Sequence, residues 1–313
     1  MKDVSQNDLK NNIPLISRKD YNRELRAGKV VLGSNKVAII AGPCTVESKA
    51  QIMDIAKNIK DCGATMLRGG IFKPLTFPYG EPLAKPDADS GGVAPDRFKI
   101  FSKTEIYKNA SRRLEYLKEA GEKYGLPVVS EILYADSMEM MSEYVDMFQV
   151  GYRHMFNMDL IEALSKSDKP VLLKRHYGES LRSLLGVGEH FEARGKHDIA
   201  FCERGVVSAH THNVESRAII DIQAIPALKE YAPSVLLFVD PSHATFRRDY
   251  VAPVSRAAIA AGADGLLIEV HPDPSNAWVD PLQALNYKDF AELVKEIEAI
   301  AKILGKTLYN GKV

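Results

Sequence analysis

The sequence predicts an α/β protein built as a (β/α)8 TIM barrel, and three observations point there. Eight short apolar runs rich in Val, Ile and Leu recur along the chain. Most lack period-2 alternation, the pattern of strands buried on both faces of a parallel sheet. Longer stretches with helical spacing lie between them, and that alternation marks βα units. The 313 residues accommodate one such barrel, typically of about 250 residues, with a short N-terminal extension. An open doubly wound sheet is the structural alternative. No Gly-x-Gly-x-x-Gly follows a predicted strand, which weakens a dinucleotide-binding version of it.

The pattern divides the chain into an extension, 1–36, and a barrel, 37–313. The extension carries Asn11-Asn12-Ile13-Pro14 and no strong periodicity. It reads as an arm or a short hairpin plugging the barrel bottom, and it is too short for a regulatory domain. The strand-like runs are 37–42, 65–69, 127–132, 147–151, 170–175, 199–204, 236–243 and 265–271. Segment 48–61 places Ile52, Ile55, Ala56 and Ile59 on one helical stripe, and 103–124 places Tyr107, Ala110, Leu114, Leu117 and Ala120 on another. Segments 249–261 and 287–304 behave likewise. Segment 78–102, rich in Pro, Gly and Ser, follows the second strand. A long loop inserted there emerges on the C-terminal face of the barrel, where lids belong.

Lys plus Arg and Asp plus Glu are both 41, so the formal net charge is zero. That balance argues against a nucleic-acid partner or a polybasic membrane partner, while leaving room for a local basic pocket. Cys44, Cys62 and Cys202 are odd in number and widely spaced, which predicts a reducing compartment rather than a disulfide framework. The N-terminus lacks the apolar core of a secretory signal, and no apolar run approaches bilayer length. The expectation is a soluble, cytoplasmic protein.

Strand C-termini meet at one mouth of a barrel. Five cations stand at or near them: Arg68, Lys73, Arg153, Lys174 and Arg204. Any one alone reads as a rim charge. Five together call for an anion, because Arg forks fit phosphate and carboxylate oxygens and Lys adds a point charge. A small molecule with both groups is the natural occupant. Cys44, His243, Glu269 and Asp280 could hold a divalent metal of the Mn, Fe, Co or Zn type. Their spacing alone is a weak signal, and a lone Cys near a strand end reads equally as a small buried apolar residue. Glu131 and Asp240 are acid/base candidates or partners of the nearby cations. His176, His210 and His212 are ambiguous, and Trp278 reads as a packing residue.

These strand-end motifs, in order, resemble a known family. They are Ala-Gly-Pro-Cys-Thr-Val-Glu-Ser (41–48), Leu-Arg-Gly-Gly-Ile-Phe-Lys-Pro (67–74), Pro-Val-Leu-Leu-Lys-Arg (170–175) and Cys-Glu-Arg-Gly (202–205). Two more are Val-Asp-Pro-Ser-His-Ala-Thr-Phe-Arg-Arg-Asp (239–249) and the run 260–274 containing Ile-Glu-Val-His-Pro. The chain resembles the phosphoenolpyruvate-dependent aldol synthases that make 3-deoxy-D-arabino-heptulosonate 7-phosphate (DAHP) and 3-deoxy-D-manno-octulosonate 8-phosphate. The compact bacterial DAHP synthases are the nearest branch. The resemblance implies a metal-dependent transferase that condenses phosphoenolpyruvate with an aldehyde, by default erythrose 4-phosphate, and releases phosphate. It places the protein in aromatic amino acid biosynthesis, the shikimate pathway, as a homodimer or homotetramer.

Residue by residue, the resemblance implies Cys44, His243, Glu269 and Asp280 as metal ligands. It implies Arg68, Lys73, Arg153, Lys174 and Arg204 as the phosphoenolpyruvate site. Metal-independent relatives carry Asn where this chain has Cys44, so a divalent metal is expected. Lys73 is the candidate for proton delivery to the new alkoxide, and Glu131 or His243 for handling the water.

The departures from the family pattern cluster on the acceptor side. Lys-Pro-Arg-Thr becomes Lys73-Pro74-Leu75-Thr76, losing the Arg that holds the acceptor phosphate. Gly-Ala-Arg-Asn becomes Gly151-Tyr152-Arg153-His154, and Lys-Arg-Gly lengthens to Lys174-Arg175-His176-Tyr177-Gly178. Leu75, Thr76, Tyr152, His154, His176 and Asp240 are therefore the acceptor-site candidates. Either the acceptor differs from erythrose 4-phosphate, or Lys85, Arg97 or Lys99 of the inserted loop replaces the missing Arg. A non-catalytic anion-binding regulatory relative and an unrelated metal-dependent barrel are the competing classes. A full set of metal ligands speaks against the first of these.

Overall fold

The structure, a computed structural model, describes residues 6–19, 24–33, 35–86, 96, 98–208 and 217–309. Two short antiparallel strands, β1 (Leu25–Ala27) and β2 (Val30–Leu32), come first. Eight parallel strands follow: β3 (Lys36–Gly42), β4 (Met66–Arg68), β5 (Val128–Ile132), β6 (Met147–Val150), β7 (Val171–Lys174), β8 (Ile199–Glu203), β9 (Leu236–Val239) and β10 (Gly265–Glu269). Each pairs with the next, and β10 closes on β3 with Gly265 opposite Ala38 and Glu269 opposite Gly42. A last strand, β11 (Thr307–Leu308), pairs with the start of β3. The result is the predicted closed barrel.

The helices are α1 (Gln6–Asn12), α2 (Lys49–Cys62), α3 (Lys103–Tyr124), α4 (Met138–Ser142), α5 (Met158–Ser165), α6 (Leu181–Ala193), α7 (Ala224–Tyr231), α8 (Pro241–Thr245), α9 (Arg248–Ala260) and α10 (Tyr287–Ile303). The long ones begin and end where local chemistry requires. Ser48 caps α2 by accepting the Gln51 N–H, and the helix stops at Gly63. Ser102 and Glu105 form a reciprocal capping box at the start of α3. The shorter helices, five to eight residues in α4, α5, α7 and α8, are too brief for periodicity to reveal. No helix among the described residues is long and apolar enough to cross a membrane.

Strand alternation divides the core in two. Val37, Ile39, Leu67, Val128, Phe148, Leu173, Phe201, Leu237 and Ile268 face outward and pack with the helices. Ala38, Ile40, Met66, Val129, Met147, Leu172, Ala200, Phe238 and Leu267 point inward and form a separate interior cluster. Leu25, Ala27, Val30 and Leu32 of the hairpin join that interior cluster, so β1 and β2 plug the barrel. Both faces of each strand are buried, hence the absence of alternation in the sequence.

One run behaves differently from its sequence reading. The 236–243 segment leaves the sheet at Val239, and Asp240 caps α8 by accepting the His243 N–H at 3.0 Å. Pro241 has no N–H for a ladder bond and suits the first turn of a helix. His243 is therefore delivered by a helix rather than by a strand.

Candidate active site

Extending the inward parity by one step predicts the site. Two residues beyond the inward-facing Ile40, Met66, Val129, Met147, Leu172, Cys202, Phe238 and Leu267 stand Gly42, Arg68, Glu131, Gln149, Lys174, Arg204, Asp240 and Glu269. The apolar interior thus ends in a charged layer. Within it Arg68 Nη1 lies 2.6 Å from Glu269 Oε1, and Lys174 Nζ lies 2.5 Å from Asp240 Oδ2. Gln149 donates to Glu131 Oε2 at 3.1 Å. Two glycines make room. A Cβ at Gly42 would stand 2.0 Å from the Arg68 carbonyl, and one at Gly151 would stand 1.9 Å from Glu131 Oε1.

Above this layer opens a cavity of about 590 Å³. Lys73, Lys174, Arg153, Arg204 and Arg217 supply its cations, and Glu131 and Asp280 its carboxylates. Leu75, Tyr152, Tyr177, Val207 and Val279 supply an apolar and aromatic wall. Arg204 is 1% exposed, and its Nη1 has no hydrogen-bond partner among the described residues. Burial lowers its pKa, against the pull of Asp240 and the Tyr152 ring that lies 4.3 Å from the guanidinium. Arg153 sits 4.8 Å from the same ring and donates to the Pro74 carbonyl and to Thr76 Oγ1.

At the inner end, donor atoms of Cys44, His243, Glu269 and Asp280 lie within 4.8 Å of one another. Two bonds of about 2.0–2.3 Å span up to about 4.6 Å, so a small inward shift of the outermost donors would seat one ion. The set is one sulfur, one nitrogen and two carboxylates, which suits a divalent transition metal. His243 Nε2 is 3.1 Å from Glu269 Oε1, and its Nδ1 is 2.8 Å from Asp240 Oδ2. Burial would raise the Glu269 pKa, but His243 and Arg68 hold it well below the carboxylate range. Asp240 is likewise held low against burial by His243 and Lys174. Burial, followed by Glu269, pushes the Cys44 thiol well up, so ionising it calls for a strong neighbouring cation. Lys73 Nζ stands 2.9 Å from that sulfur. Burial is the largest influence and works against its ammonium, but Cys44, Glu269 and Glu131 together outweigh it and the pKa is raised.

The remaining candidates distribute unevenly. Arg68, Asp240, Cys44 and Glu269 lie beneath the lining rather than in it. His154 and His176 are not among the lining residues. His176 stacks on Tyr177 with centroids 4.5 Å apart and accepts the Gly178 N–H. Of the loop cations, Lys85 lies over Trp278 at 4.9 Å and Lys99 pairs with Glu105 at 3.1 Å. Arg97, His210 and His212 lie outside the described residues. Sequence reasoning missed Gln149, which inward parity could have found. It also missed Arg217 and Gln283, for which no local signal exists. Gln283 donates to Glu269 Oε2 at 2.5 Å.

The chain matches the DAHP synthetase I family over residues 12–81 and 108–304. It belongs to the DAHP synthetase I family. The break at 82–107 falls on the segment read as an insertion. Among curated relatives of this DAHP synthetase I chain is the phospho-2-dehydro-3-deoxyheptonate aldolase of Thermotoga maritima, 36% identical over 93% of this chain and 78% of that protein. The 2-dehydro-3-deoxyphosphooctonate aldolase of Geotalea uraniireducens is 25% identical over 90% of this chain and 99% of that protein. A truncated 3-deoxy-D-arabino-heptulosonate 7-phosphate synthase from Thermotoga maritima superposes with TM-score 0.79 and 33% identity, covering 95% of this chain and 99% of that one.

Proposed function

We propose that this protein joins carbon 3 of phosphoenolpyruvate to the carbonyl carbon of an aldehyde, in the manner of a DAHP synthase. Water adds at carbon 2, the C–O bond to the phosphoryl group breaks, and inorganic phosphate leaves with a keto group formed. The former aldehyde oxygen, left as an alkoxide, takes up a proton. One observation carries the reading: Arg204, buried and with Nη1 unpartnered among the described residues, lines one cavity with Lys73, Lys174 and two members of a metal-type donor set, His243 and Asp280. A buried guanidinium without an acid partner is costly unless an anion completes it.

In this reading Lys73, Arg153, Lys174 and Arg204 grip the phosphate and carboxylate of phosphoenolpyruvate, and Arg68 braces the site through Glu269. Lys73, which retains its proton, supplies it to the alkoxide. Glu131 orients the water and accepts its proton, while His243 is committed to the metal. Cys44, His243, Glu269 and Asp280 hold a divalent metal of the Mn, Fe, Co or Zn type, which supplies Lewis-acid polarisation of the aldehyde carbonyl. The Tyr152 wall excludes water from the donor, and holding both substrates in one mouth provides the entropic part of the acceleration. The barrel at 37–313 carries the activity and the extension at 1–36 closes its bottom. The chain works in the cytoplasm as a homodimer or homotetramer; with erythrose 4-phosphate as acceptor its product would feed aromatic amino acid biosynthesis.

The test is phosphate release from phosphoenolpyruvate with Mn²⁺ and an aldehyde, with and without chelator, beginning with erythrose 4-phosphate. Release that requires phosphoenolpyruvate, aldehyde and metal together supports the proposal. Release without an aldehyde would point to a phosphatase instead.

A further inference from the structure

We infer that the acceptor aldehyde carries no phosphate group, which rests on the phosphoenolpyruvate reading above. Charge points there first. Among the described residues, five Lys and Arg side chains and two carboxylates line the cavity. Asp240, buried against Lys174, adds a third negative charge, while Arg68 and Glu269 cancel. Among the described residues, with His243 counted as a neutral metal ligand, the surplus is therefore two positive charges, five less three, and a divalent ion on a Cys44 thiolate raises it by one. Phosphoenolpyruvate brings about three negative charges at neutral pH, because the second phosphate pKa is about 6 and the carboxylate is ionised. The donor alone balances the cavity. An acceptor phosphate would add up to about two more negative charges to a site partly closed from solvent, where unbalanced charge is penalised.

The disposition of the outer cations agrees. Arg217 donates to Asp280 Oδ1 at 3.2 Å and lies 3.9 Å from the Phe246 ring centre. Arg153, which donates to the Pro74 carbonyl and Thr76 Oγ1, is taken by the donor in that reading. Lys85 and Lys99, the described cations of the inserted loop considered as replacements, are held by Trp278 and Glu105. What the wall offers an acceptor instead is Leu75, Tyr177, Val207 and Val279. Those side chains favour a neutral chain with apolar stretches and hydroxyl groups that tolerate a mixed wall.

Matched aldehydes test this. Phosphate release from phosphoenolpyruvate is followed with the Mn²⁺-loaded enzyme on erythrose against erythrose 4-phosphate, and on arabinose against arabinose 5-phosphate. The expected result is a kcat/KM about tenfold or more higher for the unphosphorylated member of a pair, the low end for one charged hydrogen bond. Equal values or a preference for the phosphorylated member overturn the inference while leaving the condensation itself standing. No release with any aldehyde, although calorimetry shows phosphoenolpyruvate bound, overturns the condensation reading and the inference with it. As a second measurement, Leu75→Arg adds a cation to the wall. It is expected to shift the preference about tenfold toward the phosphorylated member. A folded Leu75→Arg protein, judged by circular dichroism, whose preference does not move overturns the charge account.

Discussion

Arg217 holds Asp280 from behind. Its Nη2 donates to Oδ1 at 3.2 Å, while Oδ2 of the same carboxylate lies 3.4 Å from Cys44 Sγ. Asp280 sits at φ 52° and Phe246, on whose ring Arg217 lies, at φ 55°. Left-handed backbone at two non-glycine residues costs stability, so the surrounding contacts maintain it. The arrangement aims one carboxylate oxygen at the donor set and uses the other as a handle.

Arg217→Ala should weaken Mn²⁺ affinity by about 10–100-fold, the usual effect of losing a group that orients a metal ligand. Arg217→Lys should recover part of it, since Lys offers charge without the planar fork. Competition with a fluorescent chelator measures both. An unchanged affinity in Arg217→Ala would show that Asp280 needs no such support.

Chelation should abolish phosphate release, and Co²⁺ should restore it. The Co²⁺ protein should show near-ultraviolet thiolate-to-metal absorption that disappears in Cys44→Ala. Persistence of that band in Cys44→Ala would place the metal elsewhere, because the other two cysteines, Cys62 and Cys202, are not part of the donor cluster.

Two buried arginines should respond in opposite ways. Arg68 is paired with Glu269 at 2.6 Å, so Arg68→Ala strands a buried carboxylate and should cost about 3–5 kcal/mol in denaturant unfolding. Among the described residues no acid pairs with Arg204 Nη1, so Arg204→Met should leave stability unchanged or raise it. The same change should weaken phosphoenolpyruvate binding by about tenfold or more in calorimetry. Strong destabilisation by Arg204→Met would mean that an unrecognised partner satisfies the guanidinium.

The start of α3 should report on acid. The Ser102 N–H, the Ser102 hydroxyl and Lys99 together lower the Glu105 pKa to about 2. A folded pKa below the unfolded value of about 4.3 contributes stability that is full above that value. It is lost as pH falls through the interval down to about 2. Carbon-detected titration should find that low midpoint, and Ser102→Ala should move it toward the ordinary value. The same substitution should cost about 1 kcal/mol through the lost cap.

Much of the barrel is legible in the chain because its strands are buried on both faces. Runs such as 170–175 and 199–204 carry no polar residue until their C-terminal ends, where Lys174 and Glu203 appear. The long helices show their stripes and caps. What escapes is short or displaced: α4, α5, α7 and α8 complete too few turns for a period. The α8 turn is hidden inside an apolar run until Pro241 and the Asp240 cap are seen together.

The sequence by itself determined the barrel and the charged residues that stand at its strand ends. Inward parity and strand-end position are local properties, fixed by alternation of side chains along each strand. Only the tertiary structure decided how those charges pair. That Arg68 is committed to Glu269 and Lys174 to Asp240, while Arg204 Nη1 is left open, depends on distances across the closed barrel between residues up to 201 positions apart. Arg217 enters the site for the same reason, brought to Asp280 across 63 positions by a loop with no periodicity of its own. Electrostatic pairing falls off with distance in space, and chain order does not encode that distance until the sheet closes.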